Sequence, residues 1–229
     1  MMRGASVTPN AELLSKLASR SVEVGELGAR ILTACGGNCY PLDMLFLAAL
    51  NRTYAQLSGF VALLKARNFI CAAPLVRLQL DTALRLFAGT LVDDPHDFTM
   101  QVLQGTQVRQ IRSRDGEKMV DAYLVKKLAE LYPWVSDVYS HTSGYIHLSE
   151  KHFFSSVGSL GADNVVTFKI SAEDSNVTVT DYEEAIGAFS SAVDIVRQLA
   201  VDWVVAKENP QAVAKLRAER AAARQVPSR

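Results

Sequence analysis

Apolar residues recur every three or four positions along most of the chain, a spacing that places them on one face of an α-helix. Thr8 and Pro9 are typical of an N-cap followed by proline in the first turn, and the glycine pair at 36–37 ends the run. The pattern therefore predicts a first helix over about residues 9–35. Pro41 opens a second helix, to about residue 66, which is apolar nearly all round and should lie in the core.

Three further helices are predicted in the middle of the chain. One covers about residues 69–92 and should become regular at Pro74, since proline does least harm near a helix start. The next has Asp94 as its N-cap, Pro95 at its first position and Asp97 at its third, and runs to about residue 111. Apolar spacing predicts another helix over about residues 119–132.

The remaining predicted helices follow Pro133. A sixth helix begins near Trp134 and carries the histidines considered below. A long helix runs from Asp181 to about residue 208, behind a capping box of Thr180 and Glu183. Pro210 starts a short terminal helix.

Between residues 158 and 181 the period of the apolar positions changes to two. Val166, Phe168 and Ile170 alternate with polar residues, and so do Val177 and Val179. This pattern predicts two strands joined by a turn at about residues 172–175, and such a hairpin must pack against the bundle or a second subunit to be stable. The predicted fold class is mainly α, a helical bundle with one small β-hairpin near residues 164–180.

No repeat or linker divides the chain, so we expect one helical domain over residues 1–208 and a basic C-terminal helix or tail over residues 209–229. The segment from Lys207 onward holds six basic residues against two acidic ones. That excess is typical of either a contact with a phosphate backbone or a solvated helix, and the lack of interleaved aromatic residues favours the solvated helix.

Composition narrows the class of protein. The chain carries 24 Lys and Arg against 24 Asp and Glu, which argues against a protein that coats nucleic acid or an anionic membrane. The longest apolar stretch, residues 42–64, contains Asp43 and Arg52 and is therefore not expected to span a membrane. Three cysteines do not form a disulfide framework and no signal peptide opens the chain, so a cytoplasmic location is expected.

The common nucleotide-binding, zinc-protease, serine-hydrolase and calcium-binding motifs do not occur in the sequence. Cys35 and Cys39 supply half a zinc site, and no neighbouring Cys or His completes it. We therefore expect neither a cofactor nor a metal.

Two groups of polar residues interrupt apolar helices. His141, His147 and His152 fall within twelve residues, and Ser143 shares a helix face with His147. On the third helix, Arg77, Asp81 and Arg85 follow at intervals of four. Two interpretations of this second group stay open. It is either an ion-pair ladder on a solvated face, or an inward stripe that needs partners such as Ser140 or His147.

The helix with Arg77 and Asp81, followed by the helix with Ser143 and His147, resembles a loosely defined set of prokaryotic helical proteins of unknown function. These proteins are similar to the HEPN superfamily of helical ribonucleases and nucleotide-handling domains. The resemblance covers roughly residues 41–205, in the order helices, Ser/His helix, hairpin and long helix. The catalytic HEPN signature is arginine followed four to six residues later by histidine, and no arginine precedes a histidine of this chain at that distance.

Two functions follow from these patterns. The first is a non-catalytic interaction module, a homodimer able to bind a protein partner, in which Arg77, Asp81, Ser143 and His147 form a structural polar network. The second, implied by the resemblance, is a ribonuclease-like or nucleotide-modifying enzyme of a bacterial stress or phage-defence system, with RNA or a nucleotide as partner. In that enzyme the same four residues form the catalytic site, His147 acts as general acid or base, and Arg77 stabilises a phosphate. Such an enzyme needs Arg77 and His147 at one open cleft, whereas a structural network is closed and paired.

Overall fold

The fold is a mainly α-helical bundle, as the sequence predicts. A computed structural model of the chain describes residues 7–147, 149–160, 165–174, 176–215 and 218. A short helical segment, residues 210–215, follows the last long helix. The elements are α1 (Ala11–Thr33), α2 (Pro41–Lys65), α3 (Phe69–Ala88), α4 (Pro95–Leu103), α5 (Asp121–Ala129), α6 (Trp134–Ile146), α7 (Glu150–Ser156), β1 (Val157–Leu160), β2 (Val166–Phe168) and α8 (Val179–Glu208).

The core lies where α2, α3 and α8 meet, with α1 packed against α2 and α8 and with α6 packed against α3. Phe60 of α2 and Phe189 of α8 are fully buried and stack nearly parallel, with ring centroids 4.3 Å apart. Such a pair adds a specific stacking contribution to the burial of two large apolar side chains. Aromatic stacking therefore joins α2 to α8 in addition to the packing of their aliphatic side chains.

The first helix begins later than predicted. Asn10 is its N-cap, and Asn10 Oδ1 accepts hydrogen bonds from the backbone N–H groups of Glu12 and Leu13 at 2.9 and 3.3 Å. The expected cap at Thr8 is wrong because Asn10, which lies closer to the apolar residues of the helix, accepts from the backbone N–H groups that have no partner within the first turn. After α1 the chain turns through Cys35 and Gly36, both with positive φ, before α2 begins.

The third helix begins at Phe69, before Pro74, because two side chains cap its N-terminus. Asn68 Oδ1 accepts from the Cys71 N–H at 3.2 Å, and Asp174 Oδ2 accepts from the Phe69 N–H at 2.8 Å. The fourth helix is capped by Asp94 as predicted but ends at Leu103, well before residue 111.

One strand of the predicted hairpin is found and the other is not. β2 contains Val166 and Phe168 as expected, but its antiparallel partner is β1, with Val157 opposite Phe168. The predicted partner strand at Val177 and Val179 is wrong, because α8 already begins at Val179. Residues 161–164, between the two strands in sequence, lie outside the described residues.

The cap of α8 lies two positions earlier than predicted. Thr178 Oγ1 accepts from the Asp181 N–H at 3.2 Å, and the Asp181 carboxylate accepts from the Thr178 N–H at 2.7 Å. Thr178 and Asp181 thus have the capping-box spacing expected of Thr180 and Glu183. Because the cap comes earlier, α8 begins at Val179, two residues before its predicted start.

Asp174 anchors the segment before α8 to the core. Its carboxylate accepts from the Phe69 N–H and from the Tyr182 hydroxyl at 2.7 Å, while its own N–H donates to the Arg67 carbonyl at 2.9 Å. Burial, together with the hydrogen bond to Asp174, raises the pKa of Tyr182 far above its ordinary value. The Tyr182 hydroxyl therefore keeps its proton and donates a hydrogen bond to the Asp174 carboxylate.

Within the described ranges, none of the helices combines the length and the apolar composition needed to span a membrane. The apolar helix α2 instead buries two polar side chains, Asp43 and Thr53, inside the protein.

Candidate functional site

The charged stripe of α3 meets α5 and α6 in a cluster of five side chains, which we call the polar cluster: Arg77, Asp81, Arg85, Asp121 and Tyr139. Arg85 Nη2 lies 2.6 Å from Asp121 Oδ1 and 3.0 Å from Asp81 Oδ1. Arg77 Nη2 lies 3.9 Å from Asp121 Oδ2, and the Tyr139 hydroxyl donates to the same oxygen at 3.1 Å. Asp121 of α5 is therefore the common partner of both arginines and the tyrosine.

Arg77 faces inward, toward α6. Its guanidinium carbon lies 3.2 Å from the centroid of the Tyr139 ring, a stacked cation–π contact, and its side chain is only 15% exposed. Part of the stripe also behaves as an ion-pair ladder, since Arg85 pairs with Asp81 at one helical turn. Both interpretations made from the sequence therefore describe part of the stripe, although Ser140, one of the partners suggested, is exposed to solvent.

The polar cluster shifts the pKa of two of its members. Burial by itself raises the pKa of Asp121, but the hydrogen bond and charge of Arg85, the hydrogen bond from Tyr139 and the charge of Arg77 outweigh it, so this pKa lies below its ordinary value. Burial and the Asp121 carboxylate raise the pKa of the Tyr139 hydroxyl. The cluster thus holds a charged carboxylate beside a neutral tyrosine.

Ser143 lies one turn beyond Tyr139 and is half-buried, and its hydroxyl donates to the Tyr139 carbonyl at 2.9 Å. His147 caps the C-terminus of α6 and is exposed. Eight residues separate His147 from Tyr139, which is about 12 Å along a helix axis. Among the described residues, no hydrogen bond, ion pair or ring contact joins His147 to Arg77.

The structure therefore brings Arg77 and Asp81 to the same cluster, leaves Ser143 one turn away on α6, and leaves His147 outside it. The third helix packs on the sixth. The contact on α6, however, is Tyr139 instead of Ser143 or His147. The Tyr139 ring presents a large flat face, and the planar guanidinium of Arg77 stacks on it favourably.

The other histidines of the region make separate local contacts. His141 Nδ1 lies 3.2 Å from the Asp137 carbonyl, and His152 Nδ1 accepts from the Ser149 N–H at 3.3 Å. Across the described residues, no group of three His, Cys, Asp or Glu side chains is placed to hold a metal ion.

Sequence reasoning missed Asp121 and Tyr139. Asp121 is the first residue of α5, where an acidic side chain is typical of favourable interaction with the helix dipole, and Tyr139 follows the apolar spacing of α6. Neither position carries a sequence signal beyond these local roles, so only the packing of α5 and α6 on α3 reveals their partners.

A second polar centre, also missed by sequence reasoning, lies inside the protein at the C-terminal end of α8. Lys207 and Asp43 are both buried, and Lys207 Nζ lies 2.9 Å from Asp43 Oδ2. Trp203 Nε1 donates to Asp43 Oδ1 at 2.7 Å, and the Tyr40 N–H donates to Asp43 Oδ2 at 2.7 Å. Lys207 therefore belongs to the core, and counting it with the basic tail was wrong.

Comparison of the chain with protein-family models, curated proteins and solved structures finds no match.

Proposed function

We propose that this chain is a homodimeric interaction module. The observation that carries the proposal is an exposed group of large apolar side chains around the hairpin, which we call the apolar patch: Phe153, Val166, Phe168 and Ile170.

Two members of the apolar patch are in ring contact, and the other two are neighbours of Phe168 along the chain. Val166, Phe168 and Ile170 occupy alternate positions along β2 and its extension, which places them on one face. Phe168 is 57% exposed and Ile170 is 101% exposed, while Phe153 of α7 packs edge-on against Phe168 with ring centroids 6.3 Å apart. Clustered large apolar side chains that remain in contact with water are typical of a protein–protein interaction surface.

Three features favour a second copy of the chain as the partner. A sheet of two strands is marginal in water by itself, and a two-fold axis buries the same patch from both subunits at once. Lys169, on the other face of the strand, and Glu173, 3.4 Å from Arg67 Nη1, leave no excess of one charge beside the patch to repel a second copy. Equal numbers of basic and acidic residues leave no net charge to repel the second copy.

In this module the polar cluster has a structural role. Arg77 is mostly buried, stacked on Tyr139 and paired with Asp121, an arrangement that ties α3 to α5 and α6. The alternative, a ribonuclease-like or nucleotide-modifying enzyme, requires Arg77 and His147 at one cleft, and the position of His147 two turns beyond Tyr139 favours the module instead.

Sedimentation equilibrium at micromolar protein tests the dimer. We expect the wild type to have twice the 25.0 kDa mass of one chain, and Phe168→Glu to shift it to the monomer because a carboxylate cannot be buried unpaired in the interface. The matched control is Val22→Glu, at a position of α1 that is 62% exposed, and this variant should remain dimeric. A monomeric wild type, or equal dissociation of both variants, would overturn the proposal.

A second experiment tests the catalytic alternative. Wild-type protein and His147→Ala are incubated with labelled single-stranded RNA and with a nucleoside triphosphate, and products are separated by electrophoresis and chromatography. The module predicts no turnover by either protein. His147 is exposed, so its substitution should leave the fold intact. Turnover by the wild type that is lost in His147→Ala would therefore overturn the interaction module and support the enzyme.

A further inference from the structure

A cavity of about 420 Å³ lies beside the second polar centre, between the start of α2, the start of α4, the end of α8 and the segment 210–215. Its walls are formed by the rings of Tyr40, His96 and Trp203, and Val213 and Ala214 line it from the C-terminal segment. A concave site of this size, mostly apolar with a few polar groups, is typical of a small-molecule site.

The aromatic walls are held in place before any ligand arrives. The His96 ring centroid lies 5.7 Å from that of Tyr40 and 5.6 Å from that of Trp203. Trp203 also donates its indole N–H to Asp43 and stacks on Phe46, with an interplanar angle of 2°. Walls that are already ordered do not lose side-chain entropy when a flat ring packs against them.

His96 supplies a directional hydrogen-bond donor. Its Nδ1 is buried and has no partner among the described residues. A buried ring nitrogen without a partner is tolerated better as an acceptor than as an N–H donor, so we assign Nδ1 as the acceptor and Nε2 as the donor. His96 lines the cavity, and no hydrogen bond joins its ring to another of the described residues, so the Nε2 donor is left to a ligand.

Lys207 is the basic residue in the lining of the cavity. Its Nζ lies 5.6 Å from the centroid of the Tyr40 ring. Its counter-ion, Asp43, is not part of the lining. Asp43 Oδ2 lies 2.9 Å from Nζ, so the pair carries no net charge, and the lysine is the member of the pair that belongs to the lining. A cationic ligand therefore finds no counter-charge in the lining.

We propose that this cavity binds a small planar aromatic molecule that carries a carboxylate or carbonyl oxygen. The ring packs against Trp203 and Tyr40, and the oxygen accepts from His96 Nε2 on the side of Lys207. The segment 210–215 covers the bound molecule.

Isothermal titration calorimetry with 2-naphthoate tests the proposal, beside two probes that each change one property. These are cyclohexanecarboxylate, which keeps the carboxylate but is not planar, and 2-naphthylmethylammonium, which keeps the ring but reverses the charge. We expect saturable one-site binding of 2-naphthoate, with an affinity at least about tenfold higher than for either comparison probe. Failure of 2-naphthoate to bind at millimolar concentration, or equal binding of the cation, would overturn the proposal.

Two adjacent positions of α8 provide a matched pair of variants. Ala206 lines the cavity, whereas its neighbour Val205 does not and is 51% exposed. Ala206→Phe should fill the cavity and weaken 2-naphthoate binding at least about tenfold, and Val205→Phe should bind like the wild type. Equal binding by both variants would contradict the site.

His96→Phe separates the two roles of His96, hydrogen-bond donation to the ligand and packing of its ring against the ligand. It keeps an aromatic ring and should weaken 2-naphthoate binding about fivefold or more, because the carboxylate loses its hydrogen bond. The melting temperature of each variant is measured alongside, so that a loss of binding is assigned to the cavity only where the fold is retained. Unchanged affinity in a folded His96→Phe would remove His96 from the site.

Discussion

Lys207 of α8 and Asp43 of α2 form a buried ion pair although 164 positions separate them in the sequence. The ammonium also donates to the Ile31 carbonyl at 2.7 Å, so one side chain joins α1, α2 and α8. Removing two charges from water is unfavourable, and their mutual attraction compensates only when the geometry is good and the remaining donors are satisfied. The pair therefore specifies how α8 docks more than it adds to net stability.

Lys207→Met should lower the free energy of unfolding by about 3–5 kcal/mol, because it leaves the Asp43 carboxylate buried without its counter-charge. Adding Asp43→Asn removes that charge and should recover part of the loss. Urea denaturation followed by circular dichroism measures both variants. Lys16→Met, at an exposed position of α1, is the control and should change the value by less than about 0.5 kcal/mol. A double variant less stable than Lys207→Met alone would contradict the ion-pair interpretation.

Asp121→Asn should make the free energy of unfolding depend less on pH in the acid range. The pKa of Asp121 is lowered in the folded protein, with its burial outweighed by Arg85, Tyr139 and Arg77. A lowered pKa stabilises the fold above the unfolded value of about 3.9, and this contribution disappears as the pH falls through the folded value. From about pH 5 to about pH 3 the wild type should therefore lose more free energy of unfolding than Asp121→Asn.

Denaturant titrations over this pH range measure the difference. Asp137→Asn, at an exposed acidic position of α6, is the control and should follow the wild type. Parallel curves for the wild type and Asp121→Asn would show that the polar cluster does not hold this carboxylate in its charged form.

Tyr182→Phe should lower the free energy of unfolding by about 1–2 kcal/mol, because it removes a buried hydrogen bond to the Asp174 carboxylate. The raised pKa of Tyr182 also has a pH consequence. Its contribution is fully present below the unfolded value of about 10 and is lost as the pH rises toward the folded value. The wild type should therefore lose more stability above about pH 10 than Tyr182→Phe. Denaturation at neutral and alkaline pH measures both effects, with Tyr54→Phe, 49% exposed, as the control.

Deletion of residues 211–229 should leave the proposed dimer intact and change the melting temperature by less than about 5 °C. Val213 is only half-buried and Ala214 is exposed, so the deletion removes little packing from the core. Differential scanning calorimetry and sedimentation equilibrium measure the two quantities. A larger drop would mean that the tail contributes more than about 1 kcal/mol and belongs to the domain predicted over residues 1–208.

Local sequence patterns predicted the helices well where the cap and the apolar period agree. Pro41 and Asp94 mark the starts of α2 and α4 as expected, because capping and proline preferences act within one turn. Predicted boundaries were wrong where two candidate caps compete, as with Thr178 and Thr180 before α8. Either threonine has an acidic residue three positions later, so the spacing alone cannot choose between them.

That this chain is mainly α-helical, and that certain residues of α3 interrupt its apolar face, could be predicted from sequence because period and side-chain polarity are local properties. The partners of those residues could not be predicted, because they come from distant parts of the chain. The tertiary structure paired Arg77 with Tyr139 and Asp121, buried Lys207 against Asp43, and placed β2 beside β1. Periodicity indicates which face of an element is buried, but the residue met across the core depends on how whole helices pack, and that is set by contacts between distant parts of the chain.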